Sequence, residues 1–137
     1  MSPEIHKLKK GTTLVELLMA LAVISIGLLA LYSAIIFGMT IHLKIKHRNL
    51  AYNMGGKEME IIRNTAFTSL SLQNEGPFIG SFPEMSQLPH GEGLLTISPY
   101  QGNGDIKQIE IKVRWQEFGE QKDIKLSTLV YKEGLNQ

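Results

Sequence analysis

The sequence predicts an α+β protein in which one long N-terminal helix packs on a small C-terminal antiparallel sheet. Three patterns support this prediction: an apolar run from Leu17 to Met39, a stretch of mixed polarity that continues to Asn64, and an alternation of apolar and polar residues from Ile106 to Gln116. The first two patterns indicate a helix, and the third indicates a strand with one buried face.

Composition limits the size and class of the protein. The chain has 137 residues, a net charge of +1 and no cysteine. This length accommodates one domain with at most one appendage. The balanced charge argues against a dedicated nucleic-acid binder, because such proteins neutralise phosphates with a basic surface. The lack of cysteine excludes disulfides, thiolate metal sites and cysteine nucleophiles.

The apolar run is long enough to cross a membrane. It contains no charged residue and no proline. As a helix it spans roughly 34 Å, enough for the hydrocarbon core of a bilayer, which is about 30 Å thick. The alternative is a buried core helix, but so small a head has little interior in which to bury a helix that is apolar on every face. We therefore expect membrane insertion.

The helix is expected to extend from about Thr13 to Asn64, because no proline occurs between Pro3 and Pro77. Beyond the apolar run, apolar residues recur at helical spacing on one face, and charged residues indicate the other faces. Gly55-Gly56 predicts either a break or a close packing contact. The apolar positions are Ile41, Ile45, Leu50, Met54, Met59 and Ile62, and the charged positions are Lys44, Lys46, Arg48, Lys57, Glu58, Glu60 and Arg63.

The head is predicted to contain a three-stranded antiparallel meander after a long loop. Proline and glycine pairs interrupt residues 65–93, which are therefore predicted to be a loop. The first strand is expected to end at Pro99, and Trp115 is expected to lie in the core of the sheet. The predicted strands are Gly93–Ser98, Ile106–Gln116 and Ile124–Lys132.

Residues suited to catalysis or metal binding do not form a recognisable pattern. His42 and His47 are five positions apart, which is a poor spacing for one helical face. We find no catalytic triad, no phosphate-binding glycine motif and no paired carboxylates. The sequence therefore predicts no enzyme, no cofactor and no metal site.

The junction before the apolar run combines a basic cluster, a glycine and an acid. Lys7, Lys9 and Lys10 precede Gly11, and Glu16 follows that glycine by five positions. A secretory signal peptide has a shorter apolar run and a small-residue cleavage site after it, which this chain lacks in convincing form. A simple signal anchor fits the length and the lysines but leaves the glycine and the acid unexplained.

This junction resembles the leader of type IV prepilins, a short basic peptide that ends in glycine before an apolar helix with glutamate at its fifth position. The resemblance covers residues 1–40 and implies that a prepilin peptidase cleaves after Gly11 and methylates the new amine of Thr12. The family usually has Phe or Met where this chain has Thr12. The implied parts are a leader at 1–11, a transmembrane and assembly half of the helix at 12–40, an amphipathic half at 41–64 and a globular head at 65–137.

Glu16 is the only charged residue between Gly11 and Thr40. A carboxylate inside a membrane helix costs a few kcal/mol at least unless it has a partner. Cleavage after Gly11 would create a positively charged amine at Thr12. The resemblance implies that this amine of one subunit pairs with Glu16 of a neighbour and sets the axial register between subunits. The alternative is that Glu16 extends to the lipid headgroups without a specific partner.

Within this family the chain resembles minor pilins of the V type and minor pseudopilins of the I type, through the segments Leu17–Leu31 and Lys57–Asn64. This implies a structural subunit of a type IV pilus or a type II secretion pseudopilus. The subunit would be inserted in the bacterial inner membrane, with its N-terminus in the cytoplasm and its head outside, and then join a fibre in the periplasm or at the cell surface. Implied partners are other pilin or pseudopilin subunits, the prepilin peptidase and methylase, the inner-membrane assembly platform and membrane lipid.

Two other classes of protein remain open. One is an uncleaved, single-span membrane-anchored interaction domain, which would be recovered from membranes at its full length. The other is a small membrane-anchored enzyme, which requires a pocket with convergent polar groups and shifted pKa values.

Overall fold

The computed structural model describes residues 13–133, in two compact units that divide between Ile41 and His42. Helix α1 begins in the first unit and ends in the second. A four-stranded sheet in the order β1-β2-β3-β4 and two short 3₁₀ turns complete the second unit. The head, as the structure defines it, is this second unit and includes the second half of α1. The elements are α1 Leu14–Arg63, β1 Gln73–Pro77, β2 Glu92–Tyr100, β3 Asn103–Glu117 and β4 Glu120–Tyr131, with 3₁₀ turns at Phe67–Ser69 and Pro83–Gln87.

Helix α1 is continuous over 50 residues, which confirms the predicted long helix to within one residue at each end. Its C-terminal end is closed by backbone bonds from Asn64 N–H to Glu60 O (3.1 Å) and from Thr65 N–H to Ile62 O (3.0 Å). Arg63 in the last turn places a positive charge where the helix dipole is negative. Together, α1 and the antiparallel sheet form the α+β arrangement of the type IV pilin fold.

The alternation in β3 is confirmed by burial. Its inward side chains, Trp115 included, are almost inaccessible to solvent, and both neighbouring strands pair with it in antiparallel register. Side chains of the second half of α1 pack on the same face of the sheet. The buried apolar side chains are Ala51, Met54, Met59 and Ile62 of α1, Leu70, Leu88, Leu94, Leu95, Ile97, Ile109, Ile111, Val113, Trp115 and Ile124.

The prediction of three strands is wrong by one. β1 lies in the segment whose proline and glycine pairs predict a loop, and its sequence, Gln-Asn-Glu-Gly-Pro, lacks the β-branched and aromatic residues that strands favour. It is held by tertiary contacts instead: Lys112 Nζ lies 2.6 Å from Glu75 Oε1, and the Glu75 N–H donates to Thr96 Oγ1 at 3.2 Å. The hydrogen bond from Lys112 and the charge of its ammonium lower the pKa of the Glu75 carboxyl below its ordinary value.

The other strands are longer than predicted. β2 continues through Pro99 to Tyr100, and the register shifts there because proline has no N–H to donate. The hairpin turns are correspondingly tight, with only Gln101-Gly102 between β2 and β3 and only Phe118-Gly119 between β3 and β4. All four of these turn residues have positive φ, the geometry of a type I′ turn.

The Gly55-Gly56 pair is a packing contact, and the helix does not break there. A Cβ on Gly55 would lie 2.8 Å from Leu126 Cδ1, so this glycine allows β4 to approach the helix closely. Gly56 faces open space.

The apolar face predicted for the second half of the helix is only partly buried, because Ile41 and Ile45 are exposed.

Glu58 is fully buried, which corrects the prediction that it marks an exposed face of the helix. Its two carboxyl oxygens accept hydrogen bonds from the N–H of Ile79 (2.6 Å) and of Gly80 (3.0 Å). A Cβ on Gly80 would lie within 2.9 Å of Glu58 Oε2, so the glycine is needed for this approach. The acid thereby fixes the segment between β1 and β2 against the helix.

Candidate functional site

The first turn of α1 is organised by Thr13, the first described residue. Its hydroxyl accepts a hydrogen bond from the Glu16 N–H at 3.2 Å, and its carbonyl accepts one from the Leu17 N–H at 3.1 Å. Thr13 is therefore the N-cap of the helix. Thr13 and Glu16 have the spacing of a capping box, a signal that the sequence analysis missed.

Glu16 lies exposed in this first turn, where a negative charge is favoured by the positive end of the helix dipole. None of the eight ion pairs found within residues 13–133 includes Glu16, so no basic side chain in that range lies within ion-pair distance of its carboxylate. The predicted cleavage and methylation positions, Gly11 and Thr12, lie outside the described residues. The site can thus present one acid, at the start of an apolar helix, to a cation on another molecule.

The surface beyond Glu16 is apolar on all sides. No residue in the most hydrophobic stretch of α1 is buried. By its length and composition, α1 is a candidate membrane span. The hydroxyls of this half make hydrogen bonds inside the helix: Ser25 to Leu21 O (2.7 Å), Ser33 to Leu29 O (2.9 Å) and Thr40 to Ile36 O (2.9 Å). Such internal bonds suit a hydrocarbon environment, where water cannot serve as partner.

The N-terminal segment of the chain matches a known family model. Residues 6–32 match the family model described as the prokaryotic N-terminal methylation motif. The chain has a type IV pilin-like leader. The matched segment includes Gly11, Thr12 and Glu16, and the matched motif is a structural one that does not belong to an enzyme family. No curated protein and no solved structure shows a significant match to the chain.

The head of this pilin-like chain has few buried polar groups apart from Glu58. His47 Nδ1 lies 2.9 Å from Glu117 Oε1, and both side chains are largely buried. This pair joins α1 to the end of β3, and sequence spacing gave no indication of it, because its members are seventy positions apart.

The indole N–H of Trp115 is buried without an acceptor among the described residues. Across 13–133, no cluster of three His, Asp or Glu side chains could hold a metal ion.

Proposed function

We propose that this protein is a minor pilin or pseudopilin, a structural subunit of a type IV pilus or of a type II secretion pseudopilus. The observation that carries the proposal is the methylation-motif match at residues 6–32, which runs into an apolar helix whose surface is uncovered. An apolar surface of this extent needs lipid or sister helices around it. A fibre subunit uses both, first in the membrane and then in the fibre.

Maturation is the first step of this proposal. Prepilin peptidase cleaves after Gly11 and methylates the amine of Thr12, so that the mature chain is Thr12–Gln137. The methylation-motif match at residues 6–32, which contains both Gly11 and Thr12, supports this step.

Assembly through Glu16 is the second step. The mature amine at Thr12 carries a positive charge at neutral pH. Pairing with the Glu16 carboxylate of a neighbouring subunit neutralises both charges in a medium of low dielectric constant. The outward position of Glu16, with no ion-pair partner in residues 13–133, leaves it available for this contact.

The proposal also covers the location of the protein in the cell and its role as a minor subunit of the fibre. The subunit resides in the inner membrane with its N-terminus in the cytoplasm and its head outside, and partners with sister subunits, the prepilin peptidase and the assembly platform. A small head without cysteine and the likeness to V-type pilins and I-type pseudopilins favour a minor subunit.

The deciding experiment is the intact mass of the protein from membranes of cells that contain prepilin peptidase. The proposal predicts the mass of Thr12–Gln137, with or without one added methyl group. A mass that begins at Met1 or Ser2 would instead favour the uncleaved single-span interaction domain.

A matched pair of glycine variants makes this test specific. Gly11→Ala should retain the leader, because the peptidase requires glycine at the cleavage point. Gly27→Ala should mature normally, because Gly27 lies inside the helix with open space around it. Normal maturation of Gly11→Ala would overturn the leader assignment.

A further inference from the structure

We propose that the turn between β3 and β4, with Phe118 at its tip, is a membrane-contact site that binds the anionic phospholipid surface beside the anchor helix. We call the set of Phe118, Lys44 and Arg48 the interfacial patch. The inference rests on the membrane insertion of α1 that the proposed function includes, but it requires neither leader cleavage nor fibre assembly.

Phe118 is in an unusual place for a large apolar residue. Its side chain is 65% exposed, and its φ is +50°, followed by +82° at Gly119. The first position of such a turn favours Asn, Asp or Gly, because a Cβ crowds the backbone when φ is positive. Phe118 therefore accepts an unfavourable conformation and buries little surface in return. Neither local geometry nor the packing of the head accounts for a phenylalanine here.

The turn at the other end of β3 provides an internal reference. Gln101 and Gly102 have φ values of +47° and +78°, the same conformation within a few degrees. The residue at the tip of that turn is polar. A hairpin turn of this conformation therefore forms equally well with a polar side chain at the first position. This indicates that the aromatic side chain of Phe118 serves a contact outside the head.

Chain connectivity places Phe118 near the bilayer. Lys44 Nζ lies 5.6 Å from the centre of the Phe118 ring. Lys44 follows Met39, the end of the apolar run, by five positions, and five residues span about 18 Å at most even when fully extended. The tip of the turn is therefore held close to the point where the chain leaves the membrane.

The charges of the patch complement an anionic surface. Neither Lys44 nor Arg48 takes part in the ion pairs found within residues 13–133. The acids that flank the turn are already engaged, Glu117 by His47 and Glu120 by Lys122. An exposed aromatic ring beside unpaired basic side chains is the composition of membrane-interface segments, in which rings enter the headgroup region and cations meet lipid phosphates.

The test uses the full chain, which lacks cysteine and so accepts single fluorescent labels. Phe118→Cys, Gln101→Cys and Ser33→Cys, each labelled with NBD, are reconstituted into phosphatidylcholine vesicles with or without phosphatidylglycerol and with a spin-labelled quencher lipid. We expect strong quenching at position 33, which reports insertion of α1, and at position 118, but little at position 101. Quenching at position 118 should fall about twofold or more when phosphatidylglycerol is omitted or when Lys44→Gln is added.

The outcomes separate the two proposals. Quenching at position 33 without quenching at position 118 overturns the lipid-contact inference and leaves the proposed fibre function standing. A lack of quenching at position 33 overturns both. Shielding at position 118 that appears only when the protein density in the vesicle is raised about tenfold would assign the patch to a neighbouring subunit and also overturn it. Emission of the buried Trp115 reports whether each labelled head is folded.

Discussion

The two halves of α1 each contain an acid whose polarity alone suggests exposure, and the two acids differ in burial. Glu16 lies exposed at the start of the half that reaches Ile41. Glu58, in the half that follows, is fully buried and accepts two backbone hydrogen bonds from the loop before β2. A buried acid whose oxygens are satisfied inside the chain holds the head together. The exposed acid has no ion-pair partner within residues 13–133.

The apolar residues of the two halves differ in the same way. In the first half they are exposed all around the helix, whereas in the second half Ala51, Met54 and Ile62 are buried against the sheet. One continuous helix thus has an exposed apolar surface at one end and a surface packed on the sheet at the other. Substitutions in the first half should change association, and substitutions in the second half should change the stability of the head.

The largest expected effect is on association. Glu16→Ala should reduce crosslinking between subunits about tenfold or more, since the charged amine of a neighbour then lacks its partner in lipid. The measurement is disulfide crosslinking of single cysteines introduced at Ala22 in membranes that contain prepilin peptidase. Glu60→Ala, which removes an acid exposed on the head half, is the control and should crosslink normally. Crosslinking of Glu16→Ala at the level of the parent would contradict the assembly role and favour simple extension to the headgroups.

The next effect is on the stability of the head. Glu58→Ala should lower the free energy of unfolding by about 3 kcal/mol, because the N–H groups of Ile79 and Gly80 lose their acceptors in a buried place. Urea unfolding of the full chain in detergent, followed by Trp115 emission, measures the change. Glu60→Ala removes a side chain that makes only an exposed pair with Arg63, and it should change stability by less than about 0.5 kcal/mol. Equal effects of the two substitutions would show that the buried hydrogen bonds add little.

The smallest effect compares two adjacent glycines. Gly56→Ala should stabilise the head by about 0.5–1 kcal/mol, because alanine favours helix and the position is open. Gly55→Ala should gain less or nothing, since its Cβ would force Leu126 to move. The same urea series measures both variants. A gain at Gly55 as large as the gain at Gly56 would mean that the close approach of β4 does not depend on glycine.

Sequence signals are more direct at the N-terminal junction than in the head. The spacing of Gly11, Glu16 and the apolar run is local, and the family-model match covers all three. The cap at Thr13 was equally local and could have been found from its spacing to Glu16. By contrast, the burial of Glu58 had only one sequence signal, its position midway between Met54 and Ile62 on the same helical face, and its polarity argued against that signal.

The sequence by itself determined the long helix, the inward face of β3 and the N-terminal motif, because each depends on periodicity or spacing within one segment. Tertiary structure alone decided that Gln73–Pro77 forms a strand, that His47 meets Glu117, and that Lys44 lies against Phe118. These features join residues far apart in the chain, and each residue lacks a local preference for the state it adopts. Their contact partners come within reach only when the sheet packs on the helix. The interactions that stabilise these features are therefore absent from any short stretch of sequence.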